Sequence, residues 1–161
     1  MSSELEAQSY RCGLLLQQNN WLLSTAESCT GGWLAQVITA VAGSSTWFDR
    51  GFITYTNLAK QEMLGVQAAT LATYGAVSEA VVLEMAQGAL QHSQAHVSIA
   101  ISGIAGPAGG SVTKPVGTVW IGWALPSRQF ATCFLFDGNR QAVRHQAVYA
   151  ALLRLEQALD V

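Results

Sequence analysis

The chain has 161 residues, of which 50% are hydrophobic and 11% charged, with 8 Lys+Arg against 10 Asp+Glu for a formal net charge of -2. A chain this apolar and this long can bury a core without covalent staples, which excludes intrinsic disorder. The near-balance of charge excludes a protein built mainly to grip a nucleic-acid backbone.

Glu4 to Gln18 places Leu5, Leu15 and Leu16 at helical spacing, and Asn19-Asn20 stops that helix. Trp21 to Ala26 is a short apolar run expected to be a buried strand. Thr30-Gly31-Gly32 opens a helix over Trp33 to Ala42, ended by Gly43, and Phe48 to Tyr55 is strand-like. Asn57 is the expected N-cap of a short helix to Leu64, with Gly65 closing it. Ser78 caps a helix over Glu79 to Leu90, and Val97 to Ile101 is a second buried strand, followed by the glycine-rich stretch Gly103 to Gly110. Val116 to Ala124 and Phe130 to Phe136 read as two strands joined by a turn at Pro126-Ser127. Asp137-Gly138-Asn139 introduces a last helix, Arg140 to Leu159, with one apolar side. Strands alternating with helices, several strands apolar on both faces, predict a three-layer α/β/α domain. Its sheet should be mixed and mostly parallel, with one antiparallel hairpin.

No apolar run approaches the ~20 residues of a membrane-spanning helix. Met1 to Arg11 carries Glu4 and Glu6 where a leader would be basic and greasy. Cys12, Cys29 and Cys133 are far apart and form no CxxC pair, so they read as reduced thiols. The expectation is a single domain over 1–161, cytoplasmic, with no membrane and no nucleic acid as partner.

Chemistry points first to Ser24-Thr25-Ala26-Glu27-Ser28-Cys29-Thr30-Gly31-Gly32, where a serine and a cysteine leave a buried strand next to two glycines and a helix start. Glycines admit close approach of backbone to a ligand, and N–H groups at a helix start can hold an oxyanion or a phosphate. The plainer alternative is that Ser28 and Thr30 only cap the helix. A serine needs an activating partner. His92 and His96 read as solvated residues between a helix and a strand, and without an HExxH context they support no zinc site. His145 lies in the last helix beside Arg144. The chain has only two lysines, Lys60 and Lys114, and Lys60 falls just past a strand end, where a first helical turn can aim it at a cleft. To serve as a base near neutral pH it must drop about three units from ~10.4, or roughly 4 kcal/mol. Its plainer role is an exposed lysine on a short helix. The Ser102–Ser111 stretch is a Gly-rich loop at a strand end, suited to a polar ligand or simply a surface turn. It matches neither a dinucleotide fingerprint nor a P-loop. Arg140 can pair with a phosphate through its planar fork, or stay solvated.

Five ordered strings narrow these alternatives. They are Thr25-Ala26-Glu27-Ser28-Cys29-Thr30-Gly31-Gly32; Gly51-Phe52-Ile53-Thr54-Tyr55 with Asn57 and Lys60; Gly75-Ala76-Val77-Ser78; Ser102-Gly103-Ile104-Ala105-Gly106-Pro107; and Lys114-Pro115-Val116-Gly117-Thr118-Val119. Together they resemble the CinA C-terminal domain family in its stand-alone form, without the amino-terminal domain of longer members. The resemblance implies an amidohydrolase converting nicotinamide mononucleotide and water to nicotinate mononucleotide and ammonia, with no metal or organic cofactor. It implies Ser28 as nucleophile, Lys60 as base and Tyr55 as a partner close to both. The expected oxyanion donors lie around Thr30, Gly31 and Gly32. Ser102, Gly103, Gly106 and Arg140 are the expected contacts to ribose and phosphate. Family members of this type associate as homodimers or higher homo-oligomers. Cys29 is the rival nucleophile, ranked lower because no histidine is placed to generate its thiolate. A non-catalytic nucleotide-binding paralogue tied to competence or a DNA-damage response is the other class the resemblance admits.

Overall fold

A computed structural model describes residues 2–160. The elements are α1 (Ser2–Gln18), β1 (Leu23–Glu27), α2 (Trp33–Thr39), a 3-10 turn (Ser44–Thr46), β2 (Phe48–Ile53), α3 (Asn57–Leu64), α4 (Ala68–Tyr74), α5 (Glu79–Gln91), β3 (Val97–Gly103), β4 (Thr118–Leu125), β5 (Arg128–Leu135) and α6 (Arg140–Leu159). One five-stranded sheet has the order β2-β1-β3-β4-β5. β1 lies parallel to β2 and to β3, while β3–β4 and β4–β5 are antiparallel. Four strands therefore point one way and β4 the other, as a mixed sheet requires.

The predicted hairpin forms, with Leu125 opposite Arg128 across Pro126-Ser127. The further antiparallel pairing of β3 with β4 arises because residues 104–117 contain no helix, so the chain cannot cross over and returns beside the strand it left.

Helices cover both faces. α1, α2 and α6 share one apolar cluster with the sheet, while α3, α4 and α5 share the other. Alternation along β3 and β4 sorts side chains between them. Ile99, Ile101, Ile121 and Trp123 enter the first cluster, whereas Ala100 and Ala124 enter the second. The small residues let α5 sit close. A Cβ at Gly122 would stand 3.1 Å from the Val82 carbonyl oxygen, and one at Gly88 would collide with the carbonyl of Leu64. β1 is buried along its whole length, so its residues show no alternation of buried and exposed positions, and Ser24, Thr25 and Glu27 are buried with Leu23 and Ala26. Each fully buried Leu, Ile or Val contributes about 1.5–3 kcal/mol by leaving water.

Local differences from the sequence expectations have local causes. α2 ends at Thr39, whose Oγ1 turns back to donate to the Ala35 carbonyl oxygen at 2.8 Å. The cap of α3 is Thr56, not Asn57: its hydroxyl accepts from the Ala59 N–H. α4 was not expected. It is short and Ala-rich, and its first turn is held by Glu84 of α5, which accepts from Gln67 N and Thr70 Oγ1. Ser78 and Asn139 do cap α5 and α6. Among the described residues, no helix is long and apolar enough to cross a membrane.

Candidate active site

The β1→β2 connection runs through α2 on one face of the sheet, and the β2→β3 connection through α3, α4 and α5 on the other. The adjacent C-terminal ends of β1 and β3 thus form a topological switch point, where open α/β sheets bind ligands. A cavity of about 300 Å³ opens there. Ser28, directly after β1, and Ser102-Gly103, at the end of β3, form its floor. Tyr55 comes from the β2–α3 link, Asn57 and Lys60 from the start of α3, and Ala76-Val77 from the α4–α5 link. Ile104 to Gly109 and Arg140 complete the lining.

Ser28 and Lys60, 32 residues apart in the chain, meet here. Lys60 is 1% exposed and Ser28 8%. Lys60 Nζ lies 2.9 Å from Ser28 Oγ and donates to the Thr54 carbonyl oxygen at 2.9 Å. Burial, partly opposed by the Cys29 sulfur, pushes the Lys60 ammonium down from 10.5 to about 8. Among the described residues no carboxylate pairs with it, so only its hydrogen bonds to Ser28 Oγ and the Thr54 carbonyl offset the cost of the buried charge. The pair can therefore pass a proton: an amine neutral near pH 8 holds a lone pair within reach of a serine hydroxyl. Ser28 itself is fixed by its N–H, which donates to the Ile101 carbonyl at 3.0 Å.

Cys29 also lines the cavity, but burial pushes its thiol up to about 11. At neutral pH it is a protonated, inert neighbour.

The other expected positions separate into two groups. Ser102, Gly103, Gly106 and Arg140 line the cavity. Arg140 donates from Nη1 to the Gly106 carbonyl at 2.8 Å and from Nη2 to Tyr55 Oη at 3.0 Å. Tyr55 lines the cavity beside Ser28 and Lys60, but its phenol meets Arg140, and what approaches Ser28 is its main-chain carbonyl, 3.5 Å from Oγ. Thr30, Gly31 and Gly32 do not line the cavity, and three of their donors are already used. Thr30 Oγ1 and the Gly32 N–H donate to Glu27 Oε1, and the Gly31 N–H donates to the Ser28 carbonyl. The two glycines are needed for another reason, since they run at φ 58° and 103°. The N–H of Cys29 makes no hydrogen bond among the described residues.

Lys114 stands apart, donating to the Tyr74 carbonyl at the end of α4. His92 and His96 are exposed and are not among the residues that line the cavity, and His145 packs edge-on against Trp33. Among the described residues, no group of three or more His, Cys, Asp or Glu could hold a metal ion. Sequence reasoning did not single out Glu27 and Arg144, which shape the turn after β1. The signal for Glu27 was available, an acidic residue four positions ahead of the first glycine of a Gly-Gly helix start. Arg144 shows no such local mark, because its partners lie more than 100 residues away.

A family model, the CinA C-terminal domain, matches residues 5–159. Nicotinamide-nucleotide amidohydrolase PncC of Escherichia coli (strain K12) is 54% identical over 158 residues, covering 96% of this chain and 94% of that protein. The protein of the same name from Pseudomonas putida is 51% identical, covering 88% and 89%. Among solved structures, competence/damage inducible protein CihA from Agrobacterium tumefaciens superposes with a TM-score of 0.93 at 43% identity, covering 98% of this chain and 96% of that one. With nearly the whole length matched in family, relatives and fold, the chain belongs to the CinA C-terminal domain family.

Proposed function

We propose that this protein is an amidohydrolase that deamidates nicotinamide mononucleotide to nicotinate mononucleotide and ammonia. The observation that carries the proposal is the buried 2.9 Å contact between Lys60 Nζ and Ser28 Oγ. The names of the E. coli and P. putida relatives supply the substrate class.

In this mechanism the neutral Lys60 amine takes the Ser28 proton as Oγ attacks the carboxamide carbon. The carbonyl oxygen becomes an oxyanion, received by the Cys29 N–H, the donor that follows the nucleophile in the chain. The intermediate collapses by breaking the C–N bond, and Lys60 returns its proton to the departing nitrogen, releasing ammonia and leaving an ester on Ser28. Water, deprotonated by Lys60, then attacks the ester carbon. Ser28 leaves as the hydroxyl with that proton, and the product acid gives its remaining proton to the released ammonia and becomes the carboxylate. No step calls on a metal or an organic cofactor. Arg140 is suited to the substrate phosphate through its planar fork, and the Ser102–Gly110 loop to the ribose. Ile53, Tyr55 and Leu58 are exposed, two of them in or next to cavity-lining positions, and suit a homo-oligomer in which a second copy covers that rim.

The rival, a nucleotide-binding module without catalysis, accounts for the cavity but not for a buried lysine, its pKa pushed down, set against a serine. The test is ammonia release from nicotinamide mononucleotide in the presence of EDTA. Wild-type protein should turn over, Ser28→Ala should lose at least about 10³-fold in kcat, and Cys29→Ala should keep most activity. Saturable binding without ammonia would establish the module instead, and activity in Ser28→Ala with loss in Cys29→Ala would reassign the nucleophile.

A further inference from the structure

The turn Ser28–Gly32 is gripped from two opposite sides. From within, the Glu27 carboxylate, 1% exposed, accepts at Oε1 from Thr30 Oγ1 (2.6 Å), Gly32 N (3.2 Å) and Leu34 N (3.0 Å), and at Oε2 from Ala35 N (3.0 Å). From α6, Arg144 donates through Nε to the Cys29 carbonyl (2.9 Å) and through Nη2 to the Thr30 carbonyl (3.2 Å), with its guanidinium 5.5 Å from the Trp33 ring centroid. In this turn an anion meets N–H groups and a cation meets C=O groups, so both charges favour the same orientation of the intervening peptides. The main chain extends the arrangement to the base. The Glu27 carbonyl accepts from Thr54 N at 2.8 Å, and the Thr54 carbonyl accepts from Lys60 Nζ.

We infer that Glu27 and Arg144 are positioning residues, a charge clamp that holds the Ser28 turn, and with it the Cys29 N–H, in register with Lys60. Neither side chain lines the cavity, so neither acts by touching substrate. The carboxylate is buried without a cationic partner in hydrogen-bond contact, an arrangement that persists because four donors converge on it. Arg144 is matched to two successive carbonyls by its fork, a match that a lysine ammonium does not reproduce. The inference rests on the serine–lysine reading of the site.

The test is steady-state kinetics of the full chain on nicotinamide mononucleotide across pH 6.5 to 9.5 for Arg144→Met, Arg144→Lys and Glu27→Gln, with Ser28→Ala alongside. A displaced nucleophile costs rate more than affinity, so Arg144→Met and Glu27→Gln should lower kcat by about 10–100-fold. KM should stay within about threefold, and the pH at half-maximal rate should stay in place. Arg144→Lys, which keeps the charge but spans one carbonyl, should fall between wild type and Arg144→Met. It also serves as the readout if either other variant fails to fold. Wild-type kcat in Arg144→Lys together with any folded partner variant overturns the clamp, as does a rise in KM at constant kcat. If Ser28→Ala is dead while the clamp variants are fully active, the clamp alone falls. If Ser28→Ala remains active, the serine–lysine reading falls and the clamp with it.

Discussion

Replacing Lys60 by Met should remove activity and, at neutral pH, make the protein more stable. The ammonium of Lys60 titrates near 8 in the folded chain against 10.5 for the free side chain. At pH 7 about one-tenth of the folded molecules carry the neutral amine, against about three in ten thousand for an ordinary lysine. The same displacement means that folding the charged lysine costs on the order of 3 kcal/mol at pH 7. Methionine fills a similar volume without that cost but strands the Ser28 hydroxyl and the Thr54 carbonyl, at about 1 kcal/mol each. The balance is a gain of about 1 kcal/mol, or about 2–4 °C in Tm for a chain of this size. Between pH 8 and 10.5 the folded state binds fewer protons than the unfolded state, so wild-type stability rises with pH, while the variant lacks that contribution. The advantage of Lys60→Met should therefore be complete below about pH 8 and disappear towards pH 10.5, where the lost hydrogen bonds leave it the weaker protein. Thermal unfolding followed by circular dichroism at pH 7 and pH 10 reads the stability, and ammonia release reads the rate. In the wild type, kcat/KM should climb about tenfold per pH unit below 8 and level above it. A variant equally destabilised at both pH values, or a wild-type profile flat from pH 6 to 9, would refute the depressed lysine.

Tyr55→Phe removes the acceptor for Arg140 Nη2 and nothing that reaches Ser28, so KM should rise by about fivefold or less with kcat nearly unchanged. A loss of more than about 100-fold in kcat would instead put the phenol on the reacting atoms. Gly88→Ala drives a methyl into the Leu64 carbonyl and must part α5 from α3, the helix that carries Lys60. It should cost about 1–3 kcal/mol in stability and lower kcat as Lys60 shifts. An unchanged Tm in a melting scan would show that the helices are not in contact there.

Much of the architecture was legible along the chain because its causes act over a few residues. Apolar runs marked β1 and β3, the Ser78 and Asn139 caps set the starts of α5 and α6, and Pro126-Ser127 marked the hairpin. The serine, the lysine and the Gly-rich wall of the cavity were each locatable as types at strand ends. What stayed out of reach depends on contacts across tens or hundreds of residues. α4 takes its first-turn support from Glu84, and β4 lies against β3 because no helix intervenes. Thr30, Gly31 and Gly32 carried the pattern of an anion-binding helix start. That pattern fixes donors but not acceptors, and for the Thr30 hydroxyl and the Gly31 and Gly32 N–H groups Glu27 and the Ser28 carbonyl fill those places from inside the protein. Likewise the chain names a serine and a lysine, whereas their separation, and the burial that strips water from the amine, follow from α3 packing under α5 against the end of β1.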